Sequence, residues 1–346
     1  MKKCLFLICI FMVLQGCKMK PYEAFSEFPS EVNLTHQLIE VKGMADPGQV
    51  IMLNEAVIIL DEKSDFSFHV LNRLNYAHIG SFIRRGHGPN EEMIIQTMMK
   101  LTENQFFYKT LSHIKIIDYS AKPPEFIVRK SIPVFVNDLI AAFMLNGIVY
   151  GWNREPREKE FIQYHGADKM LDFGSEFPLP ERNFSSREQM HLFSEKQVTV
   201  KPDGQLFAAT YNYLPLLRIF DAADGSVQQE IRFENKKPFP NYLITGNEAE
   251  WEHVTQNYWF TKSSNNYIYA LYTGKTFGES GYSRNGPGNA VVDLSNEIHV
   301  FDWEGNPVKR IITDKNLFNF DVSADDRILI AISKEDPDHI YEYRIK

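Results

Sequence analysis

Nine residues, RRGHGPNEE from Arg84 to Glu92, bring two arginines, a histidine and two glutamates together around a Gly-Pro turn. Arg84 and Arg85 could grip a carboxylate or phosphate through forked hydrogen bonds. His87 stands between them and the turn. The architectural alternative is a solvated arginine pair, or one bridged to Glu91 or Glu92, because exposed charges usually contribute little. The stretch is not a dinucleotide loop, since the third glycine of that fingerprint is absent and no helical pattern follows. It is not a phosphate loop either, for want of Gly-Lys-Ser/Thr. A second cluster, WEHVTQNYWF (251–260), offers Trp251, His253, Tyr258 and Trp259. Such rings stack on sugars or other planar groups, although aromatic residues on an inner strand also pack against neighbouring strands. Arg284 and Asn285 of SRNGPGN complete the set of candidate ligand-binding residues.

Other chemistries are poorly supported. GESGYS (278–283) places a serine between glycines, but no His-Asp partners can be identified for it. The ten histidines include no His-x-His or His-Glu-x-x-His pattern. A divalent cation such as calcium could still be held by Asp, Glu and Asn at a shared axis. Ligands drawn from distant segments leave no local spacing to read, so no metal ligand, cofactor or catalytic residue is assigned.

These residues must be positioned by strands. The chain is 44% hydrophobic and 24% charged, which suits a globular protein, and its 26 Phe and 16 Tyr favour strands over helices. No long i, i+3, i+4 stripe stands out. Short alternating runs recur, bounded by Gly, Pro, Asn and Asp. LRIFDAADGSVQQEIRF (217–233) and IHVFDWEGNPVKRII (298–312) share one plan: a strand ending in Phe-Asp, a Gly turn, and a second strand. Asp221 and Asp302 are turn residues in this plan. IKIIDYSAKPPEFIVRKSI (114–132) is a looser copy, and residues 66–82, 161–177 and 340–346 are weaker ones. Each follows another strand-like stretch: VIILDE, NQFFYK, GIVYGW, QLFAATY, YIYALYT or RILIAIS. Six pairs at a period of about 40–50 residues predict an all-β, six-bladed propeller of four-stranded antiparallel blades. A two-sheet sandwich with a second domain is the rival. The last hairpin, IYEYRIK (340–346), lacks a return strand, and EVNLTHQLIEV (31–41) could supply it, closing the ring and removing open edges.

IGSFIRRGHGPNEE, lying between the first two repeats, resembles the G-x-GPxE junction of TolB-like six-bladed propeller lipoproteins of Bacteroidetes, whose relatives include NHL-type propellers. Gly86, Gly88, Pro89 and Glu91 match it, while Asn90 stands where glycine is more usual. The resemblance implies the propeller fold and no particular activity. In such a blade, strands A to D run outward from the axis, so D–A junctions share a face with B–C loops. That face should collect residues 84–92, 153–160, 211–216, 234–260, 274–295 and 334–339. A shallow pocket at the axis mouth is expected there, with Arg84, Arg85, His87, Trp251, His253, Trp259, Arg284 and Asn285 around it.

The N-terminus indicates the compartment. Lys2 and Lys3 precede the apolar run CLFLICIFMVL, which is too short to span a bilayer and ends in LQGC (14–17). It resembles a bacterial lipoprotein signal, which implies that Cys17 becomes the acylated first mature residue. The expected organisation is a signal peptide over 1–16, a lipidated tether over 17–30 and the propeller over 31–346. All three cysteines (4, 9 and 17) lie in this leader, so the body must be held by its core rather than by disulfides. Loss of Lys2 and Lys3 takes the formal charge from −8 to −10, which disfavours nucleic acid as a partner. No aspartate or acidic cluster follows Cys17. By analogy with lipoproteins this favours the outer membrane facing the periplasm over the cell surface. The leading expectation is a non-catalytic, lipid-anchored propeller binding a glycan, peptide or envelope protein. A metal-dependent hydrolase or lyase of lactonase or NHL type, with its site at the axis, is the alternative. A scaffold using its outer blade edges is a third reading.

Overall fold

A computed structural model describes residues 23–345, apart from 136, 156, 167–168, 179–184, 236–251 and 281–294. Six antiparallel sheets follow one another around an axis, each meandering outward from strand A to strand D. Blade one comprises Pro47–Met52, Ala56–Asp61, Phe66–Asn72 and His78–Arg84. Blade two comprises Ile95–Thr102, Gln105–Thr110, His113–Ala121 and Pro124–Pro133, and blade three Ala141–Leu145, Ile148–Trp152, Phe161–Tyr164 and Met170–Phe173. Blade four is built from Lys196–Val200, Leu206–Tyr211, Leu216–Asp221 and Val227–Phe233. Blade five is built from Tyr258–Ser263, Tyr267–Tyr272, Ser295–Asp302 and Pro307–Leu317. Asn319–Val322, Ile328–Ile332 and His339–Arg344 begin blade six.

The B strands carry the core. Ala56–Asp61 is buried throughout, and Phe106, Phe107, Phe207, Ala208, Ile268 and Tyr269 are fully enclosed. Both faces of such a strand meet a neighbouring blade, so it reads as a continuous apolar run. The C–D hairpins follow the Phe-Asp plan. The Asp302 carboxylate accepts the N–H groups of Glu304 and Asn306, and Gly305 takes the positive φ of +91° that closes the turn.

The N-terminal segment closes the ring and then does more. Gln37–Glu40 pairs antiparallel with His339–Arg344 as the outermost strand of blade six, with Ile39 opposite Ile340. Glu31–Leu34 instead runs parallel to Pro307–Leu317 as a fifth strand of blade five. Glu23–Phe25, within the segment expected as a tether, runs parallel to Val227–Phe233 of blade four. One strap therefore covers the outer edges of three consecutive blades. Aromatic packing fastens it: Phe25 and Phe28 meet Phe233, Phe301 and His299. Covering these edges protects main-chain groups that would otherwise invite intermolecular pairing.

Around the axis the A strands are joined by side chains. Gln49 accepts the N–H of Met98 in blade two at 2.8 Å. Asn319 and Asp321 of blade six accept the N–H groups of Val50 and Met52 at 3.3 and 2.7 Å. Ser263 of blade five donates to Val200 O at 2.9 Å. These links supply hydrogen bonds where neighbouring inner strands do not form a ladder.

Candidate functional site

The RRGHGPNEE corner leads from strand D of blade one into blade two. Arg85 is committed to holding it: Nε donates to Ser64 O at 3.2 Å, Nη1 to Met93 O at 2.9 Å and Nη2 to Asp61 O at 2.7 Å. Its guanidinium satisfies main-chain carbonyls that the turn leaves open. Neither glutamate bridges to the arginines. Glu91 folds back to accept the Gly88 N–H at 2.9 Å, and Glu92 pairs with Lys115 at 2.5 Å. The Gly-x-Gly-Pro-x-Glu spacing thereby gains a physical cause. A Cβ on Gly86 would lie 2.0 Å from the Glu91 carboxylate, and one on Gly88 would lie 3.0 Å from it. Arg84 and His87 are exposed beside this corner.

The other candidates lie elsewhere. His253 is exposed in the junction between blades four and five, and Trp259 lies half-buried on strand A of blade five, its indole N–H donating to Gln256 at 2.8 Å. Trp251, Arg284, Asn285 and Cys17 lie outside the described residues. By blade order, the one–two and four–five junctions open on the same face but on opposite sides of the axis. Arg84 and His87 are thus placed across the ring from His253 and Trp259, and none of the four lines the cavity described next.

That cavity, about 550 Å³, is lined by all six A strands and runs along the axis. It reaches the A–B turns at Glu103, Pro202 and Ala324. At the other end it shares Gln96, Ile140, Ala141, Trp152, Lys196 and Gln197 with a vestibule of about 740 Å³. Asn137, Arg154, Glu155, Ser194 and Glu195 complete the vestibule between blades two and four. Arg154 and Glu155 fall in the 153–160 loop expected on this face, whereas Asn137, Ser194 and Glu195 come from blade junctions outside the segments expected there. The wall residues were missed because inner strands such as IQTMMKLT and KQVTV mix polar and apolar residues without clean alternation. Polar residues preceding each buried B strand are the signal that could have found them.

Behind the vestibule wall sits a buried ionic network. Glu160 receives Lys196 at 3.1 Å, Arg218 at 2.5 Å and the Tyr211 hydroxyl. Arg218 also pairs with Glu230 at 3.1 Å. Burial would raise the Glu160 carboxyl, but Lys196 and Arg218 outweigh it and hold the group below its ordinary value. Burial pushes Lys196 down, with Glu160 opposing. The Lys196 ammonium also lies over Phe161 and Trp152, 4.6 and 4.9 Å from their centroids. The adjoining void is about 20 Å³, room for a water and not for a substrate. This network is structural and seals blade three against blade four.

Two other constellations fail geometrically as catalytic machinery. Ser64 Oγ at 3.2 Å and Asp61 at 3.5 Å both meet His69 on Nε2, so they form no relay; Ser81 Oγ lies 3.2 Å from Nδ1, but the ring is 4% exposed and closed to a substrate. Asp61 instead caps main-chain N–H groups of Ala45, Asp46, Lys63 and Ser64. Ser280 of GESGYS donates to Phe277 O at 3.0 Å within its own turn. Among the described residues, no group of three or more His, Cys, Asp or Glu is placed to hold a metal ion.

Known structures share the fold at low identity. A Bacteroides fragilis protein described as exported aligns with a TM-score of 0.54 and 12% identity, covering 92% of this chain and 100% of its own. A member of the DUF4221 family from Bacteroides vulgatus gives 0.54 and 10%, covering 90% and 98%. No curated protein matches significantly. The profile of the TolB-like 6-blade propeller-like family matches residues 24–325, spanning all six blades from the first strap strand to the A–B turn of the last. Blade number, closure and this match agree, and the chain belongs to the TolB-like six-bladed propeller family.

Proposed function

We propose that this protein is a lipid-anchored cell-envelope propeller that binds a glycan or peptide, without catalysis, at the vestibule of its axial cavity. The observation that carries the reading is the continuity of that vestibule with a cavity lined by all six A strands, a concave site of ligand size on a rigid ring. In this reading Arg84, His87 and His253, exposed on the loop-rich face, form an outer collar for larger ligands, while Trp251, Arg284 and Asn285 lie outside the described residues. LQGC at 14–17 supports acylation of Cys17, and by analogy with bacterial lipoproteins the residues KMKPYEAF after it favour the outer membrane facing the periplasm over the cell surface. A fold relative described as exported agrees with an envelope location.

The strap supports an orientation. Glu23–Phe25 runs parallel to strand D of blade four, and so enters from the face bearing the A–B and C–D turns. Cys17 precedes Glu23 by six positions, a contour of at most about 20 Å. The anchor then holds the turn face toward the bilayer and leaves the vestibule facing away from it. The test screens envelope glycans and peptides against the wild type and Gln197→Trp, which plugs the mouth. Ligands should bind the former and lose the latter; a ligand indifferent to the plug would remove the cavity from the reading. Fatty-acid labelling should mark the wild type and not Cys17→Ala, and an unlabelled, freely soluble wild type would remove the anchor.

A further inference from the structure

We propose that the blade five–six wall of the axial cavity is an oxyanion anchor, with Lys262 supplying charge and Asn319 a hydrogen-bond donor for a ligand carboxylate. This rests on the cavity being the binding site, and adds the chemical class of what it takes.

Three lysines line the cavity, and two are neutralised. Lys100 pairs with Glu103 at 2.7 Å and Lys196 with Glu160 at 3.1 Å. Lys262, half-buried on strand A of blade five, has no ion pair or hydrogen bond to any described residue. Burial pushes its ammonium below the ordinary lysine range, while Asp321 opposes that. A largely desolvated ammonium that feels Asp321 only through space, with no ion pair or hydrogen bond of its own, is incompletely compensated, and an incoming anion adds to that compensation.

Asn319 provides an independent observation. Its side chain is 1% exposed and lies on the same cavity wall, and its Nδ2 has no hydrogen-bond partner. The amide orientation is fixed, because Oδ1 accepts the Val50 N–H at 3.3 Å, so the unused group is a donor. The Phe260 and Phe318 rings meet at 5.7 Å between the two inner strands. That contact brings Lys262, two positions further along its strand, level with residues 319–321. Two unused donors of this kind ask for an acceptor, and one of them asks for negative charge.

Asp321 decides which anion. Its carboxylate faces the same cavity and is fixed by the Met52 N–H at 2.7 Å. Each negative charge brought near it is unfavourable, so a single one, as on the carboxylate of a uronic acid or peptide terminus, suits the wall better than the two of a phosphate dianion.

The experiment follows ¹³C-methyl lysine resonances of the full chain in detergent during titration with glucuronate, glucose and inorganic phosphate. Glucuronate should shift the Lys262 signal and bind roughly tenfold or more tightly than glucose. Lys262→Met should abolish that preference. Asn319→Asp keeps the acceptor for Val50 and replaces the donor with a second carboxylate on the wall, so it should also abolish glucuronate binding, at some cost in melting temperature because Asp321 lies on the same wall. Equal affinity for glucuronate and glucose, or glucuronate binding that survives Lys262→Met, overturns the proposal. Phosphate binding tighter than glucuronate overturns the carboxylate assignment. Silence of both anions overturns the anchor, and uncharged ligands blocked by Gln197→Trp would then show that the cavity reading still stands.

Discussion

Replacing Glu160 with Gln tests the buried network that joins blades three and four. The substitution preserves shape, but among the described residues it removes the only carboxylate paired with Lys196 and one of two paired with Arg218. The Lys196 side chain is 1% exposed, and the adjoining void has room for a single water, which cannot restore the lost charge. Removing one member of a buried pair costs about 3–5 kcal/mol, because a charge is left uncompensated. At an unfolding entropy of ~2.1 cal/mol/K per residue over roughly 320 residues, that is a fall in melting temperature of about 4–8 °C. The pH dependence carries a definite sign. Glu160 is held below its ordinary value in the folded state, so its contribution is complete above the usual glutamate range. It is lost as pH falls through the lowered folded value, which protonates the carboxyl. The gap between wild type and Glu160→Gln should therefore be full at neutral pH and narrow under acid. Urea unfolding of both proteins at a series of pH values measures it. A cost under about 1 kcal/mol, or a gap unchanged from neutral to strongly acidic pH, would refute the assignment of charge to this network.

Two further perturbations probe the architecture. Gly86→Ala puts a methyl where the Glu91 carboxylate sits and should cost about 0.5–1.5 kcal/mol by displacing its hydrogen bond to the Gly88 N–H, and in a Glu91→Ala background the same change should cost less. Additive costs in the double-mutant cycle would show that the two residues do not meet. Deleting residues 31–41 removes the outer strand of blade six and the fifth strand of blade five, so it should lower the melting temperature sharply and expose edges to aggregation. A truncated chain that melts like its parent would contradict closure by the strap.

Much of the fold was legible because its causes are local. The Phe-Asp hairpins at Asp221 and Asp302 announce strand, turn and strand within a few residues, through side-chain caps and glycine backbone. Buried B strands such as VIILD and YIYALY read directly as apolar runs. Their period gave the blade number, and the unmatched terminal hairpin gave the need for a closing strand. The corner at 84–92 was legible as a junction from Gly86, Gly88 and Pro89 alone.

The tertiary structure decided what distant residues do together. Arg85 could be a ligand fork or a clamp by sequence; only the approach of the Asp61, Ser64 and Met93 carbonyls made it a clamp. The Glu160 network joins positions 36 to 58 residues apart, so no local spacing encodes it. The strap's division among blades four, five and six depends on which edges lie within reach once the ring has closed. The axial cavity takes residues from each of six inner strands, and Lys262 and Asn319 come to line one wall of it only because their blades are adjacent. A propeller writes its blades locally, but its axis is a surface made of one short contribution from every blade, and that surface exists only after the ring is closed.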